Sequence, residues 1–234
     1  MFKKIIFACT FSSLLWSNVA LAERNLDDLR DEIPANEWRL QKNDARHKIK
    51  VYVKNEDGKK IRSFKVEAIL DTNIETLSRV QSDIDSYSRW YFATLESKLL
   101  QKVSDKEYIF YMVHDAPYGT PDRDVIMRAV IEPMTAKRPY VQLKMNALPN
   151  FLPVKPPYVR MEAEDYTARW TPINKSQVLL EAEGFINPGG AAPSWAVNFI
   201  QGRGPYINMM GLRRMINLPQ YNDSDAPIPY TFVE

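Results

Sequence analysis

Gly189-Gly190-Ala191-Ala192-Pro193-Ser194-Trp195-Ala196-Val197-Asn198 is the stretch on which the fold turns. Pro193 suits the first turn of a helix, where its missing N–H is not needed, and the pattern after it predicts a long helix over about 193–216. Gly202, Gly204 and Pro205 fall inside that helix and predict a bend or loosening. Beyond it, Leu218 to Glu234 is rich in Pro and Asp and predicts a tail that packs irregularly or is mobile.

Working back from that helix, the period changes to two. Strands are expected near 94–103, 107–115, 123–132, 140–148, 158–170 and 177–187, because turn signals recur between them: Pro117-Tyr118-Gly119, Pro133, Pro139, Pro149 to Pro157 and Pro172. Ahead of them Ile74, Leu77, Val80, Ile84, Tyr87 and Tyr91 recur at helical spacing, with Thr72 and Glu75 as a capping box. Two more strands, 48–54 and 63–70, come first, joined through a turn at Asn55-Glu56-Asp57-Gly58. Glu23 to Arg46 reads as a short helix and an irregular lead-in. The order strand-strand, helix, six strands, long helix gives an α+β class. A strongly bent antiparallel sheet with the last helix across its concave side is expected to leave an internal cavity.

The chain has 234 residues, 45% hydrophobic and 26% charged, a globular balance. Met1 to Ala22 reads as a secretory signal: Lys3 and Lys4, an apolar run from Ile5 to Trp16, then Ala20-Leu21-Ala22 for cleavage. That makes the expected location periplasmic or secreted. The run falls short of the ~20 residues of a membrane span. Cleavage leaves 212 residues, 29 basic and 29 acidic side chains, and no cysteine. A neutral chain is a poor partner for nucleic acid, and oligomeric state is not set by composition.

Alternation sorts the strand faces. Tyr108, Phe110, Met112 and His114 share one face, as do Val125, Met127, Ala129 and Ile131, then Val141, Leu143, Met145 and Ala147, then Val159, Met161 and Ala163. These sets are expected to point inward, because the charged sets opposite them need water. Arg160, Glu162 and Glu164 read as a solvated charged face, and Arg123-Asp124 as a structural pair or loop anchor. Phe151, Leu152 and Val154 in a Pro-rich loop read either as a membrane or partner contact or as a plug on the N-terminal segment. A further reading is an interaction protein that docks on a membrane protein through the Phe151 loop.

Four motifs in order resemble the StAR-related lipid-transfer (START) domain family and its helix-grip fold, in an exported bacterial form. They are Trp90 closing the first long helix, Tyr108 to Val113 before a Pro-bearing loop, Arg123-Asp124-Val125 after it, and the Gly189 to Asn198 stretch. The match spans about residues 45–217, so the domain is expected over 23–217, between the signal of 1–22 and a tail of 218–234. The resemblance implies a lipid or other apolar small molecule in the cavity, with ligand contacts from Tyr108, Phe110, Met112, His114, Val125, Met127, Ala129, Val141, Leu143, Met145, Met161, Trp195, Phe199 and Met210. It also implies a lid at Pro133, Met134, Lys137 and Arg138 with transient membrane contact. Sterol-binding relatives carry an acidic and a basic residue at the positions of Met112 and Ala129, so sterol specificity is not implied.

The sequence holds no nucleophile elbow, phosphate loop or dinucleotide fingerprint. With His47 and His114 as its only histidines, it predicts no metal site, no cofactor and no assigned catalytic residue. The enzyme alternative is an aromatase/cyclase-like reaction on an apolar cyclic substrate, with His114, Tyr108 and Arg123 as its candidates.

Overall fold

A computed structural model describes residues 36–116, 119–223 and 225–233. The signal-like segment lies outside the described residues. Ten strands form one sheet: β1 (Arg39–Asp44), β2 (Ile49–Lys54), β3 (Ser63–Leu70), β4 (Thr94–Ser104), β5 (Glu107–His114), β6 (Arg123–Glu132), β7 (Val141–Ala147), β8 (Val159–Arg160), β9 (Ala163–Asn174) and β10 (Gln177–Asn187). Their order is β1-β2-β3-β10-β9-β7-β6-β5-β4, antiparallel throughout, with β8 parallel to the start of β6. The helices are α1 (Ile74–Ser82), α2 (Ser194–Met215) and α3 (Pro219–Asn222), with a 3₁₀ turn at Ile84–Arg89.

The sheet curls, and its burial pattern shows why. Strand β2 reads buried-exposed-buried, and β3 and β7 alternate likewise. Six strand spacings separate β2 from β5, about 29 Å in a flat sheet. Yet Ile49 and Val51 of β2, Phe110 and Met112 of β5, and Leu212 and Met215 of α2 belong to one buried cluster. Both flanks close on the same helix because each has an apolar face to remove from water. On the convex side a smaller cluster joins Ile109, Tyr111 and Val113 to Ile126.

Several expectations change in detail. Residues 39–44 are a strand, not a lead-in: β1 is nearly all exposed and held by backbone pairing to β2, so no apolar alternation marks it. The first helix ends at Asp83. Ile84, Tyr87 and Trp90 are spaced by three, which suits the tighter 3₁₀ period that follows. Its cap is Asn73, whose side chain accepts from the Thr76 N–H at 2.8 Å, rather than Thr72. The expected strand 158–170 is split between β8 and β9.

Helix α2 runs unbroken through Gly202, Gly204 and Pro205. Val197 and Gln201 on one side of that triplet, and Met209 and Leu212 on the other, are buried, so packing outweighs the weak local propensity. The tail is packed rather than loose. Tyr221 and Tyr230 are buried in the core cluster. The Tyr221 hydroxyl donates to Asp83 Oδ2 at 2.7 Å, and Arg79 donates to the carbonyls of Tyr221 and Ala226 at 3.1 and 2.8 Å.

Gly211 fixes how closely α2 approaches the turn that follows the 3₁₀ segment. A Cβ there would lie 2.3 Å from the Trp90 carbonyl oxygen, a backbone atom that cannot swing aside. At Gly202 the nearest atom is the Gln41 side-chain Cγ, at 3.6 Å. Gly211→Ala is expected to cost about 1–3 kcal/mol by overpacking. Gly202→Ala is expected to gain up to about 1 kcal/mol from helix propensity. Urea midpoints of the two variants check this reversal of sign.

Candidate polar site at one end of the concave face

The strands sort their inward residues into an apolar majority and a polar minority. Phe110, Met127, Val141 and Trp170 are 0% exposed, with no surface that a water molecule could touch. Tyr108, Met112, Val125, Ala129, Leu143, Met145 and Met161 are buried beside them. The middle of the concave face is therefore filled by the protein's own side chains, where the sequence suggested an open lining. Partly buried Tyr91, Tyr166, Ile186 and Met210 pack against this cluster from its margin.

Polar inward groups gather where β5 ends and β6 and β9 begin. His114 Nε2 lies 3.1 Å from Glu164 Oε2, with side chains 14% and 2% exposed. The Tyr91 hydroxyl donates to Glu164 Oε1 at 2.8 Å. Arg123 is the cross-strand partner of His114 and stands on the same side of the sheet as Val125. From α2, Gln201 is fully buried with its Oε1 unpartnered.

Burial alone lowers the His114 pKa, since charge is disfavoured away from water. The Glu164 charge and hydrogen bond, with hydrogen bonds to the backbone of Phe92 and Ala93, outweigh it, so the net shift is upward. Burial also raises the Tyr91 and Tyr166 hydroxyls, and the Glu164 charge adds to this. The pairing with Glu164 therefore favours protonation of His114, and burial keeps both phenols neutral. Both imidazole nitrogens are engaged, Nε2 by Glu164 and Nδ1 toward Thr94 Oγ1 at 3.4 Å.

Glu164 and Arg160 overturn the expectation of a solvated charged face. Glu164 is 1% exposed. The break after Met161 shifts the phase, and one residue of slip turns every later side chain over. Counting back from Trp170 and Ala168 would have put Glu164 inward. Arg160 pairs in bidentate fashion with Asp124, both contacts at 2.9 Å, with side chains 8% and 0% exposed. Thus Asp124 serves Arg160 and not Arg123. Arg160 also donates to the carbonyls of Pro149, Leu152 and Pro153 and so holds the Pro-rich loop against the sheet. On that loop Phe151, Leu152 and Val154 are 43, 41 and 55% exposed.

Trp195 and Phe199 do not face the interior. They are 70 and 58% exposed, because the buried stripe of α2 runs through Val197, Gln201 and Gly204. Met210 is half-buried against the core. In the expected lid, Lys137 is exposed and Arg138 pairs with Glu132 at 2.7 Å. The Met134 N–H donates to the Phe232 carbonyl at 2.7 Å, which ties the hairpin to the tail. A separate groove of about 570 Å³ opens on the convex side, lined by Lys54, Lys59, Lys144, Asp165 and Glu183 among others. Its charge suits no apolar ligand. Among the described residues no cluster of three metal-ligating side chains occurs.

A STAR-related lipid transfer protein from Xanthomonas axonopodis superposes with a TM-score of 0.70 and 26% identity, covering 77% of this chain and 99% of that one. Human STARD10 gives 0.66 at 20% identity, covering 83% and 79%. Human StAR-related lipid transfer protein 5 gives 0.65 at 14%, covering 84% and 93%. The chain has the START helix-grip fold. No family model matches it. An uncharacterised protein of Pseudomonas aeruginosa is 25% identical over 181 residues, 76% of this START-type chain and 86% of that protein.

The raised His114 pKa has a definite sign in stability. Its contribution is full below the unfolded value of about 6.5 and is lost as pH rises through the higher folded value. Urea unfolding of wild type should weaken over that window relative to His114→Gln. An NMR titration should place His114 above its ordinary value in wild type and lower in Glu164→Gln, where the opposing charge is gone.

Proposed function

We propose that this START-type chain binds a lipid or other apolar small molecule on the concave face beneath α2, is exported across the inner membrane, and carries its ligand between membranes. The observation that carries the reading is the division of the inward face. Its long part is apolar and its polar groups meet at one end, the complement of an amphiphile. Burial of ligand tail contributes about 25 cal/mol per Å² before association costs. Because the middle of the face is closed in the present form, loading requires the α2 side or the lid hairpin to move. The lipid-transfer description of the Xanthomonas structure agrees with this reading.

Contact with a membrane is supported by the placement of exposed apolar groups. Arg160 fastens the Phe151-Leu152-Val154 loop to Asp124, next to Arg123 at the start of β6. Greasy side chains therefore stand at the same end as the polar cluster, where a headgroup would enter. Export is supported by the signal-like residues 1–22, and N-terminal sequencing of the secreted product is expected to begin at Glu23.

Acid–base chemistry at His114 draws less support from this geometry. A general base needs a free lone pair, and both ring nitrogens are engaged.

Native mass spectrometry of gently purified protein should find a bound species of lipid mass. Bare polypeptide, with no uptake from vesicles of mixed phospholipid, would sink the reading. Replacing Phe151 and Leu152 together by Ser should slow lipid transfer between vesicles at least fivefold with an unchanged melting temperature. Equal transfer rates would remove this loop from the mechanism.

A further inference from the structure

Arg123 is a buried cation without a counter-charge. It is 8% exposed, and none of the ion pairs among the described residues includes it. None of the neighbouring carboxylates reaches it: Asp124 pairs with Arg160 on the other side of the sheet, Asp122 accepts from the Ala116 N–H, and Glu164 is held by His114 and Tyr91. The guanidinium donates from one terminal nitrogen to the Pro121 carbonyl. Its Nε–H is buried and finds no acceptor.

Proteins rarely leave such a group uncompensated, because an unpaired charge away from water is costly. The surroundings narrow what would complete it. Arg123 stands inward beside Val125, which is 0% exposed, and its β8 partner is Val159. His114, directly across the strand pair, is held by Glu164 and adds no negative charge. A guanidinium presents a planar fork that fits the two oxygens of a carboxylate or phosphate. Apolar neighbours favour an anion attached to an apolar chain over a hydrated free ion.

We propose that Arg123 is the headgroup-binding residue of the interior site and takes the carboxylate or phosphate of an acidic amphiphile, whose tail lies along the concave face. This rests on the lipid-binding reading above and adds the chemical class of the ligand.

The test uses the mature chain and four probes: dodecanoic acid, dodecyl phosphate, dodecanol and inorganic phosphate, titrated by calorimetry. The acid and the phosphate ester are expected to bind at least tenfold tighter than the alcohol, as a charge-assisted hydrogen-bond pair implies. Arg123→Gln should abolish that preference while alcohol affinity changes less than twofold, and Arg123→Lys should keep part of it. Acid and alcohol binding equally to wild type would overturn the assignment but leave the lipid-binding reading standing. Failure of all three amphiphiles to bind would overturn both. Inorganic phosphate binding as tightly as its dodecyl ester would also overturn it, since the site would then serve a free anion. If Arg123→Gln does not fold, the wild-type comparison and the Lys variant decide the matter.

Discussion

The curl of the sheet around α2 is the constraint on which everything else depends. Strands at opposite flanks bury their apolar faces on one helix, and the backbone approach at Gly211 sets how tightly they close. The hydrophobic effect supplies the drive and is indifferent to direction. The direction comes from close contact at Trp90, and from Asn208, whose side chain accepts from the Phe92 N–H at 2.6 Å. The Trp90–Thr94 turn is therefore clamped between helix and sheet. The same turn carries Tyr91 to Glu164 and offers its backbone to His114.

Within so apolar an interior, the charged residues at one end are conspicuous. Ionised groups are seldom buried unless paired. The Asp124–Arg160 pair meets that rule on the convex side and serves as a fastener, gathering three loop carbonyls onto one guanidinium. The His114–Glu164 pair meets it on the concave side. Such pairs contribute little net stability beyond their desolvation cost, yet removing one member typically costs about 3–5 kcal/mol. They act as fixed points of geometry more than as sources of stability.

Much of this was legible in the sequence. The expected strands 63–70, 123–132 and 177–187 coincide with β3, β6 and β10, because turn signals bound each of them closely. The inward apolar sets of β5, β6 and β7 followed from the same alternation. Exposed β1 escaped because an edge strand held by its backbone has no side-chain signature. Glu164 escaped because periodicity was carried across a break that no proline or glycine announces. The resemblance places Trp195 and Phe199 among the ligand contacts, whereas a helical wheel through the buried Val197 and Gln201 turns them outward. Arg123 stands out in its motif, but its missing partner is a fact of three-dimensional neighbourhood that no spacing rule conveys.

The tail has a consequence for how the molecule is made. Tyr221 and Tyr230 sit in the same core as Ile49 and Val51 of β2. They follow every strand of the sheet in chain order, so a chain made from its N-terminus can pair those strands before it holds these rings. The aromatic wedge that closes the end beside α1 thus joins an interior the strands have already framed.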